Sequence, residues 1–306
     1  MQLNPHKVGF GRHETFSLRY SWLSKGFQAL LEDPGVFASE DATVTLGVGR
    51  NMVHAIRFWL LAAQLMEPAG KGFQPTPVGE MIFDAKGFDP YLEDEATLWL
   101  IHWLIVTNPE RATAWFWFFN RFHKPEFTSA EVATALTDFA SQHLRGKTAE
   151  TTLKQDASIV LRMYARSKGN TRTPLEEALD SPLSLLHLIS QAPGGRVYFS
   201  HPEEREGLPL GILGFAVSQL FDTMKAAQLP VEDLMYPNNE YPAPGAVFRL
   251  TENALIAKLE RLIHRMPGVF EIRETAGIHQ VYLLKQVAPL AFLEDHYMDR
   301  FREKAA

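Results

Sequence analysis

LGVGRNMVHAIRFWLLAAQLMEPAGKGFQPTPVGEMIF, residues 46–83, is the stretch that decides the predicted fold. A short helix before it ends at Gly47, and a longer amphipathic helix follows over residues 48–61. Two short strands are predicted next, AQLMEP and FQP, on either side of the turn AGKG. A further helix is predicted to start in TPVGEMIF, with Thr76 as its cap. The order helix, turn, helix, hairpin and helix predicts a winged helix.

The turn between the first two helices contains glycines on both sides of Val48. We expect Gly47 and Gly49 to supply backbone angles that residues with a side chain avoid.

The long helix carries two kinds of side chain on two faces. Four apolar residues are predicted to pack inward: Met52, Ile56, Trp59 and Leu60. Four polar residues lie on or beside the opposite face: Arg50, Asn51, His54 and Arg57. Arginine suits guanine edges or phosphate and asparagine suits adenine, so this face is a candidate DNA-reading surface. Lys71 in the hairpin turn is a candidate phosphate contact. The alternatives are an ordinary solvated face, a solvated lysine, and an Arg57 that pairs with an internal carboxylate.

The composition limits the possible functions. The chain has 306 residues, 46% hydrophobic and 22% charged, with a net charge of -6, so DNA binding requires a local positive patch. It contains no cysteine, which excludes disulfides, thiol catalysis and every Cys-ligated metal site. The N-terminus has no apolar signal core and no segment is long enough to span a membrane, so we expect a cytoplasmic protein without membrane contact.

The rest of the chain indicates a mainly α protein with small β-hairpins, an α+β class. Apolar residues at helical spacing over residues 15–31 predict the first helix, and Thr128 or Ser129, with Glu131 close behind, predicts the start of another. Residues 1–86 form the winged-helix-like, DNA-binding region, and residues 87–168 form a helical core. Polar and turn-forming residues cluster over Arg166–Pro174 and indicate a boundary. Residues 175–306 form a C-terminal region in which TENALIAKLERLIHRM is a helix and VFEIRE and IHQVYLL are strands, a second winged-helix-like module.

Two clusters are candidates for metal-assisted or acid–base chemistry. His13 and Glu14, close to Arg19, are candidate catalytic residues, and a helix cap or salt bridge is the common structural alternative. Glu93 and Asp94, together with Glu14, are candidate ligands for Mg²⁺, although acidic residues also favour the first turn of a helix. His102 lies among apolar residues and is predicted to be a core histidine. Phosphate-loop, zinc-protease and serine-hydrolase signatures are absent from the sequence.

Four ordered blocks resemble a bacterial family. They are GRHETFSLRYSWLSKGF, LGVGRNMVHAIRFW, DPYLEDEATLWLIHWLI, and PGAVFRLTENALIAKLERL with ETAGIHQVYL, and the resemblance covers the chain from about Gly9 to Tyr297. The chain resembles the SspB-type components of DNA phosphorothioation gene clusters, a family catalogued as a domain of unknown function. The resemblance implies a double-stranded-DNA-binding protein in a phage-defence system, in some members a magnesium-dependent nicking endonuclease. It also implies partners from the same cluster: a cysteine desulfurase, an ATPase and a sulfur-transfer enzyme.

The leading hypothesis is therefore a DNA-binding component of such a system, and whether it nicks one DNA strand with Mg²⁺ stays open. A winged-helix transcriptional or targeting protein without enzymatic activity, or a protein–protein adaptor, is the alternative. The oligomeric state is not predicted.

Overall fold

The computed structural model describes residues 1–166, 181–237, 241–275 and 277–305. These residues form two compact units, Leu3–His201 and Pro202–Ala306 together with Met1 and Gln2. The predicted three-part division, residues 1–86, 87–168 and 175–306, remains a prediction. Most of the expected boundary segment, residues 167–174, lies outside the described residues.

Helices make up most of the first unit. Its α-helices are α1 (Tyr20–Glu32), α2 (Ala42–Thr45), α3 (Arg50–Ala62), α4 (Pro77–Phe83), α5 (Glu95–Val106), α6 (Thr113–Arg121), α7 (Ser129–His143) and α8 (Glu150–Tyr164). Two 3-10 helices span Val36–Ala38 and Pro182–Leu186. Its strands are β1 (Met66–Ala69), β2 (Gly72–Pro75), β3 (Glu126–Thr128), β4 (Ser190–Gln191) and β5 (Val197–Phe199). β1 and β2 form an antiparallel hairpin, and β3, β5 and β4 form an antiparallel sheet in that order.

The stretch that decides the prediction folds in the expected order. α2, a turn, α3, the β1–β2 hairpin and α4 follow one another, and the Thr76 side chain caps α4 by accepting a hydrogen bond from the Gly79 N–H. Gly47 adopts a left-handed φ of 59°, as expected for the turn. The same expectation is wrong for Gly49, whose φ of -66° is accessible to any residue.

The core of the first unit is aromatic. Every residue of α5 from Ala96 to Val106 is buried, because the helix is apolar on all sides and is surrounded by protein. α6 follows it and buries Trp115 and Phe116 completely. Removing side chains of this size from water stabilises the fold by about 1.5–3 kcal/mol each.

The N-terminus of α7 carries the local signals that the sequence predicts. The Thr128 hydroxyl accepts a hydrogen bond from the Glu131 N–H, and the Glu131 carboxylate accepts one from the Thr128 N–H. This reciprocal pair is a capping box. The Lys124 side chain also pairs with Glu131.

The second unit combines helices with one sheet. Its helices are α9 (Leu210–Met224), α10 (Val231–Met235), α11 (Pro244–Val247), α12 (Glu252–Arg265) and α13 (Pro289–Ala305). Its strands are β6 (Gln228–Pro230), β7 (Phe270–Thr275) and β8 (Ile278–Leu283), antiparallel in the order β6, β8, β7. The predicted helix and two strands are present, and β6 is an additional strand that the sequence did not reveal.

The predicted fold class is confirmed, since helices dominate and the sheets have two or three antiparallel strands. The name winged helix, for either module, stays a prediction. One boundary is wrong: the sequence pattern predicts that the first helix begins at Thr15, whereas it begins at Tyr20. The reason is that Thr15 has a left-handed φ angle and Arg19, the residue before the helix, is extended, and an α-helix excludes both conformations.

Candidate nucleic-acid interface

A pocket of about 540 Å³ lies in the first unit. Four segments of the chain form its walls: residues 8–14, α3, the β1–β2 hairpin and the loop that precedes α6. Its charged or titratable lining residues are Arg12, Glu14, His54, Arg57, Lys71, Glu110 and Arg111. Two predicted sites thus meet at one place, because His54, Arg57 and Lys71 are predicted DNA contacts and Glu14 is a predicted catalytic or metal-binding residue.

The pocket has an excess of positive charge. Four basic residues, Arg12, Arg57, Lys71 and Arg111, line it together with two acidic residues, Glu14 and Glu110. One carboxylate is already engaged, because Lys7 Nζ lies 3.9 Å from Glu110 Oε1.

These cations have no bonded partner in the part of the chain that the structure describes. There, the side chains of Arg12, Arg57, Lys71 and Arg111 form no hydrogen bond or ion pair. The Glu14 side chain also has none. Cations that converge on a pocket without internal partners are suited to an anionic ligand, even on a chain whose net charge is -6.

Glu14 reaches the pocket from a strained turn. The Phe16 N–H donates to the His13 carbonyl at 2.9 Å, and the two residues between them, Glu14 and Thr15, have φ values of 50° and 63°. Two successive left-handed residues define a type I′ turn, which normally contains Asn and Gly. Holding residues with larger side chains in this region costs about 1–2 kcal/mol each. Such strain persists only where surrounding contacts enforce it.

A buried His–Asp pair enforces the turn. His13 is 1% exposed; its Nδ1 accepts the Thr15 N–H at 3.1 Å and its Nε2 lies 3.0 Å from Asp156 Oδ1. Because Nδ1 is an acceptor, the proton belongs on Nε2, which donates to the Asp156 carboxylate. The Gly11 N–H donates to the same carboxylate at 2.9 Å. Asp156, also 1% exposed, therefore ties two points of the N-terminal segment to α8.

The surroundings of His13 are those of a structural residue more than of the predicted catalytic one. Both of its ring nitrogens are engaged within the protein, and its ring packs against Phe58, Trp59 and Trp115. The contacts describe a residue that positions the turn, and Glu14 is the member of the pair that lines the pocket. A catalytic role for His13 stays a prediction.

The N-terminal segment is also fixed against the loop before α6. The Gly9 N–H donates to Thr113 Oγ1 at 2.9 Å. A Cβ atom on Gly9 would lie 2.6 Å from the Arg111 carbonyl oxygen and 2.7 Å from that of Glu110. Only glycine permits so close an approach, and the approach places Arg12 and Arg111 in the wall of the same pocket.

The hairpin is held in a similar way. The Phe73 N–H donates to the Pro34 carbonyl at 3.1 Å, and a Cβ atom on Gly72 would lie 2.4 Å from the same oxygen. The turn that carries Lys71 is therefore attached to the loop after α1, and Lys71 is exposed at its tip.

The remaining predicted DNA contacts lie outside the pocket lining. Arg50 and Asn51 are exposed in the first turn of α3, whereas His54 and Arg57 are half-buried further along the same helix. The structure thus groups three of the five predicted residues and leaves two at the start of α3.

Glu93 and Asp94 take part in the N-terminal structure of α5. Asp89 accepts the Glu93 and Asp94 N–H groups at 2.7 and 3.0 Å, and Asp94 accepts the Ala96 N–H at 2.8 Å as the helix cap. Among the described residues, no group of three or more His, Asp or Glu side chains is arranged to hold a metal. Glu14, Glu93 and Asp94 are therefore not gathered into such a group. Mg²⁺ often binds through one or two carboxylates and completes its shell with water and phosphate. Of the three predicted ligands, only Glu14 lines the cationic pocket, where it could bind Mg²⁺ in this way.

His102 is the core histidine that the sequence predicts. It is fully buried and its Nδ1 lies 2.8 Å from the Tyr164 hydroxyl. Burial raises the pKa of Tyr164 well above its usual value, so this hydroxyl stays protonated.

Sequence reasoning missed three residues of this site: Arg12, Arg111 and Asp156. Arg12 and Arg111 carry no periodic signal, since both lie in irregular segments. Asp156 does carry one, because it shares the buried face of α8 with Leu153, Ala157 and Val160. A carboxylate on an apolar helix face requires a partner, and here the partners are His13 and Gly11.

None of the helices that the described part of the chain contains is long and apolar enough to cross a membrane.

Comparison with known proteins identifies relatives. Residues 10–297 match the family described as a protein of unknown function, DUF4007. Two crystal structures, one of SspB and one of SspB with a bound magnesium ion, are each similar to this chain with a TM-score of 0.83 and 26% identity. Each similarity covers 94% of this chain and 88% of the other. No curated protein matches the chain. The chain belongs to the DUF4007 family, and the resemblance to SspB-type proteins is confirmed.

Proposed function

We propose that this DUF4007 protein is the DNA-binding component of a DNA phosphorothioation system, and that its cationic pocket holds phosphates of the DNA. The observation that supports the proposal most is the convergence of Arg12, Arg57, Lys71 and Arg111 on one pocket, without internal partners among the described residues. Similarity to SspB supports the choice of system. Other proteins of the same gene cluster are the proposed partners, and the cytoplasm, where the DNA is, is the proposed location.

Phosphate is the anion that this cluster suits. Arginine donates from a planar fork that matches phosphate oxygens, and lysine adds a mobile point charge. Arg57 on α3 and Lys71 on the hairpin approach from different walls, so they can contact different oxygens or successive phosphates. Arg50 and Asn51, exposed at the start of α3, extend the proposed surface toward base edges.

Charge reversal of Arg57 tests the proposal. Loss of one charge-assisted hydrogen bond to phosphate costs about 1.5–3 kcal/mol, roughly a 10-fold to 150-fold weaker affinity, and reversal adds repulsion. We expect Arg57→Glu to weaken binding of a fluorescent duplex by at least about tenfold in an anisotropy titration. The slope of log K against log salt should also become less steep by about 0.9 for each DNA phosphate that the variant no longer neutralises.

Arg162→Glu is the matched control. Arg162 is exposed in the last turn of α8 and does not line the pocket, yet its reversal changes the net charge by the same amount. Equal weakening by Arg162→Glu and Arg57→Glu would mean that overall charge alone controls binding. A wild-type protein that does not bind duplex DNA at low salt would refute the proposed function.

Nicking of one DNA strand with Mg²⁺ is a second candidate function. Glu14 favours it, because a carboxylate without an internal partner among the described residues lies inside a pocket of cations. Glu14 would hold the ion together with a DNA phosphate and water, and the ion would supply a Lewis acid for phosphodiester cleavage. One SspB crystal structure contains a magnesium ion, which supports the proposal that Mg²⁺ is the metal.

Conversion of supercoiled plasmid to the open circular form tests this activity. We expect Mg²⁺-dependent conversion by the wild type that a chelator abolishes, and a loss of at least about 100-fold in rate for Glu14→Gln. Glu80→Gln is the control, because Glu80 is exposed on α4 and does not line the pocket. DNA binding without any conversion would leave the non-enzymatic targeting protein as the better description. Equal conversion by wild type and Glu14→Gln would remove Glu14 from the mechanism.

A further inference from the structure

We infer that the pocket receives one unpaired nucleotide of the DNA, with its base against apolar side chains and its phosphate among the cations. This inference rests on the proposed function and names the form of DNA that the site selects.

The shape of the site leads to this inference. A protein element that reads a paired duplex protrudes into a groove, whereas this site is a concavity of about 540 Å³. That volume lies within the roughly 300–1,000 Å³ of pockets that enclose a small organic ligand. A paired duplex can cover the mouth of such a pocket, but only an extruded or terminal nucleotide can enter it.

The lining has an apolar part and a positively charged part, which match the base and the phosphate of a nucleotide. Phe58 and Leu61 of α3 and Phe73 of the hairpin contribute apolar surface. Arg12, Lys71 and Arg111 contribute charge. A pocket for phosphate alone needs no aromatic surface, whereas an unpaired base presents an apolar face that stacks on aromatic side chains.

The two aromatic rings differ in burial and so in their suitability for an experiment. Phe58 is 7% exposed and packs against His13, Trp59 and Trp115, so its substitution would disturb the core. Phe73 is half-buried in β2, with one ring contact to Phe37 at 6.0 Å. Phe73 is therefore the residue to change.

The walls of the pocket are preformed by close backbone contacts. Gly9 packs against the Glu110 and Arg111 carbonyls, and Gly72 packs against the Pro34 carbonyl. Both contacts are so close that a Cβ atom on either glycine would clash with these oxygens. A preformed pocket costs little ordering on binding, which favours capture of a nucleotide that is already unpaired.

Three fluorescent duplexes of one sequence test the inference. The first is fully paired, the second has one extra, unpaired thymidine, and the third has an abasic sugar at the place of that thymidine. We expect the wild type to bind the thymidine bulge roughly tenfold or more tightly than the paired duplex, and to lose most of this preference on the abasic bulge. The abasic duplex separates recognition of the base from recognition of bent or flexible DNA.

Phe73→Leu should lower the ratio of the bulge affinity to the paired-duplex affinity by at least about fivefold. Phe199→Leu is the matched control, since Phe199 is also half-buried in a strand of the first unit but does not line the pocket. We expect Phe199→Leu to keep the wild-type ratio.

The outcomes distinguish the two proposals. Equal affinity for the paired and bulged duplexes, or for the thymidine and abasic bulges, overturns the inference and leaves the proposed function standing. A ratio that Phe73→Leu does not change overturns the placement of the base in this pocket. Failure to bind any of the three duplexes overturns the proposed function and this inference together.

Discussion

Replacing Asp156 with alanine should destabilise the first unit strongly. The Asp156 carboxylate accepts the Gly11 N–H at 2.9 Å and the His13 Nε2–H at 3.0 Å, and both Asp156 and His13 are 1% exposed. Asp156→Ala leaves these two donors without an acceptor. A buried group left unsatisfied costs about 1–3 kcal/mol. The expected loss is therefore about 2–6 kcal/mol, a large fraction of the roughly 5–15 kcal/mol that stabilises a typical domain.

Tryptophan fluorescence during urea denaturation measures this loss selectively. All six tryptophans lie between Trp22 and Trp117, so the signal reports the first unit alone. Trp59 and Trp115 pack around the His13 ring and are sensitive to its position. We expect the transition midpoint of Asp156→Ala to fall far below that of the wild type.

Asp138→Ala is the matched control, because Asp138 is exposed on α7. Its effect should stay within about 0.5 kcal/mol. A loss below about 1 kcal/mol for Asp156→Ala would refute the reasoning, since it would mean that water or another group satisfies both donors at little cost.

Two further predictions concern local structure. Gly47→Ala should destabilise the first unit by about 1–2 kcal/mol because of its left-handed φ, whereas Gly49→Ala should change stability by less than about 1 kcal/mol, since alanine adopts this φ without strain but is a poorer N-cap than glycine. No atom lies closer than 4.0 Å to either added Cβ, so the difference in stability between the two variants, measured by tryptophan fluorescence, reports the backbone effect. Equal changes in stability for the two variants would contradict this prediction. The hydrogen bond from Lys124, followed by those from Thr128, lowers the pKa of Glu131 to about 2. Since this folded-state pKa is depressed, the stabilisation is complete above about pH 4.5 and is lost as the pH falls toward 2. A carboxylate titration by NMR should show it, and Lys124→Ala should raise this pKa; an unchanged value would refute the assigned cause.

Local signals in the sequence were sufficient for most elements of the fold. Helical periodicity located α3 and α12, and the Thr128–Glu131 pair located the start of α7. The start of α1 could not be located in this way, because Glu14 and Thr15 adopt angles that their side chains disfavour. Those angles follow from contacts of the buried His13, and helix propensity, which is a local property, does not include such contacts.

The candidate site was predictable only in part, for a similar reason. His54, Arg57 and Lys71 are close in sequence and belong to one recognisable motif. Arg111 joins them only through folding, and Asp156 meets His13 across 143 positions of sequence. A single sequence records which residues are unusual for their local structure, but not which distant segments lie beside them.

The attachment of the hairpin at Pro34 can affect the width of the pocket without any change in the residues that line it. Pro34 does not line the pocket, yet its carbonyl binds the Phe73 N–H and lies against Gly72. We therefore expect the length of the loop after α1 to affect how far Lys71 lies from α3. Relatives that keep every lining residue can still differ in the size of ligand that they admit, through insertions or deletions in that loop alone.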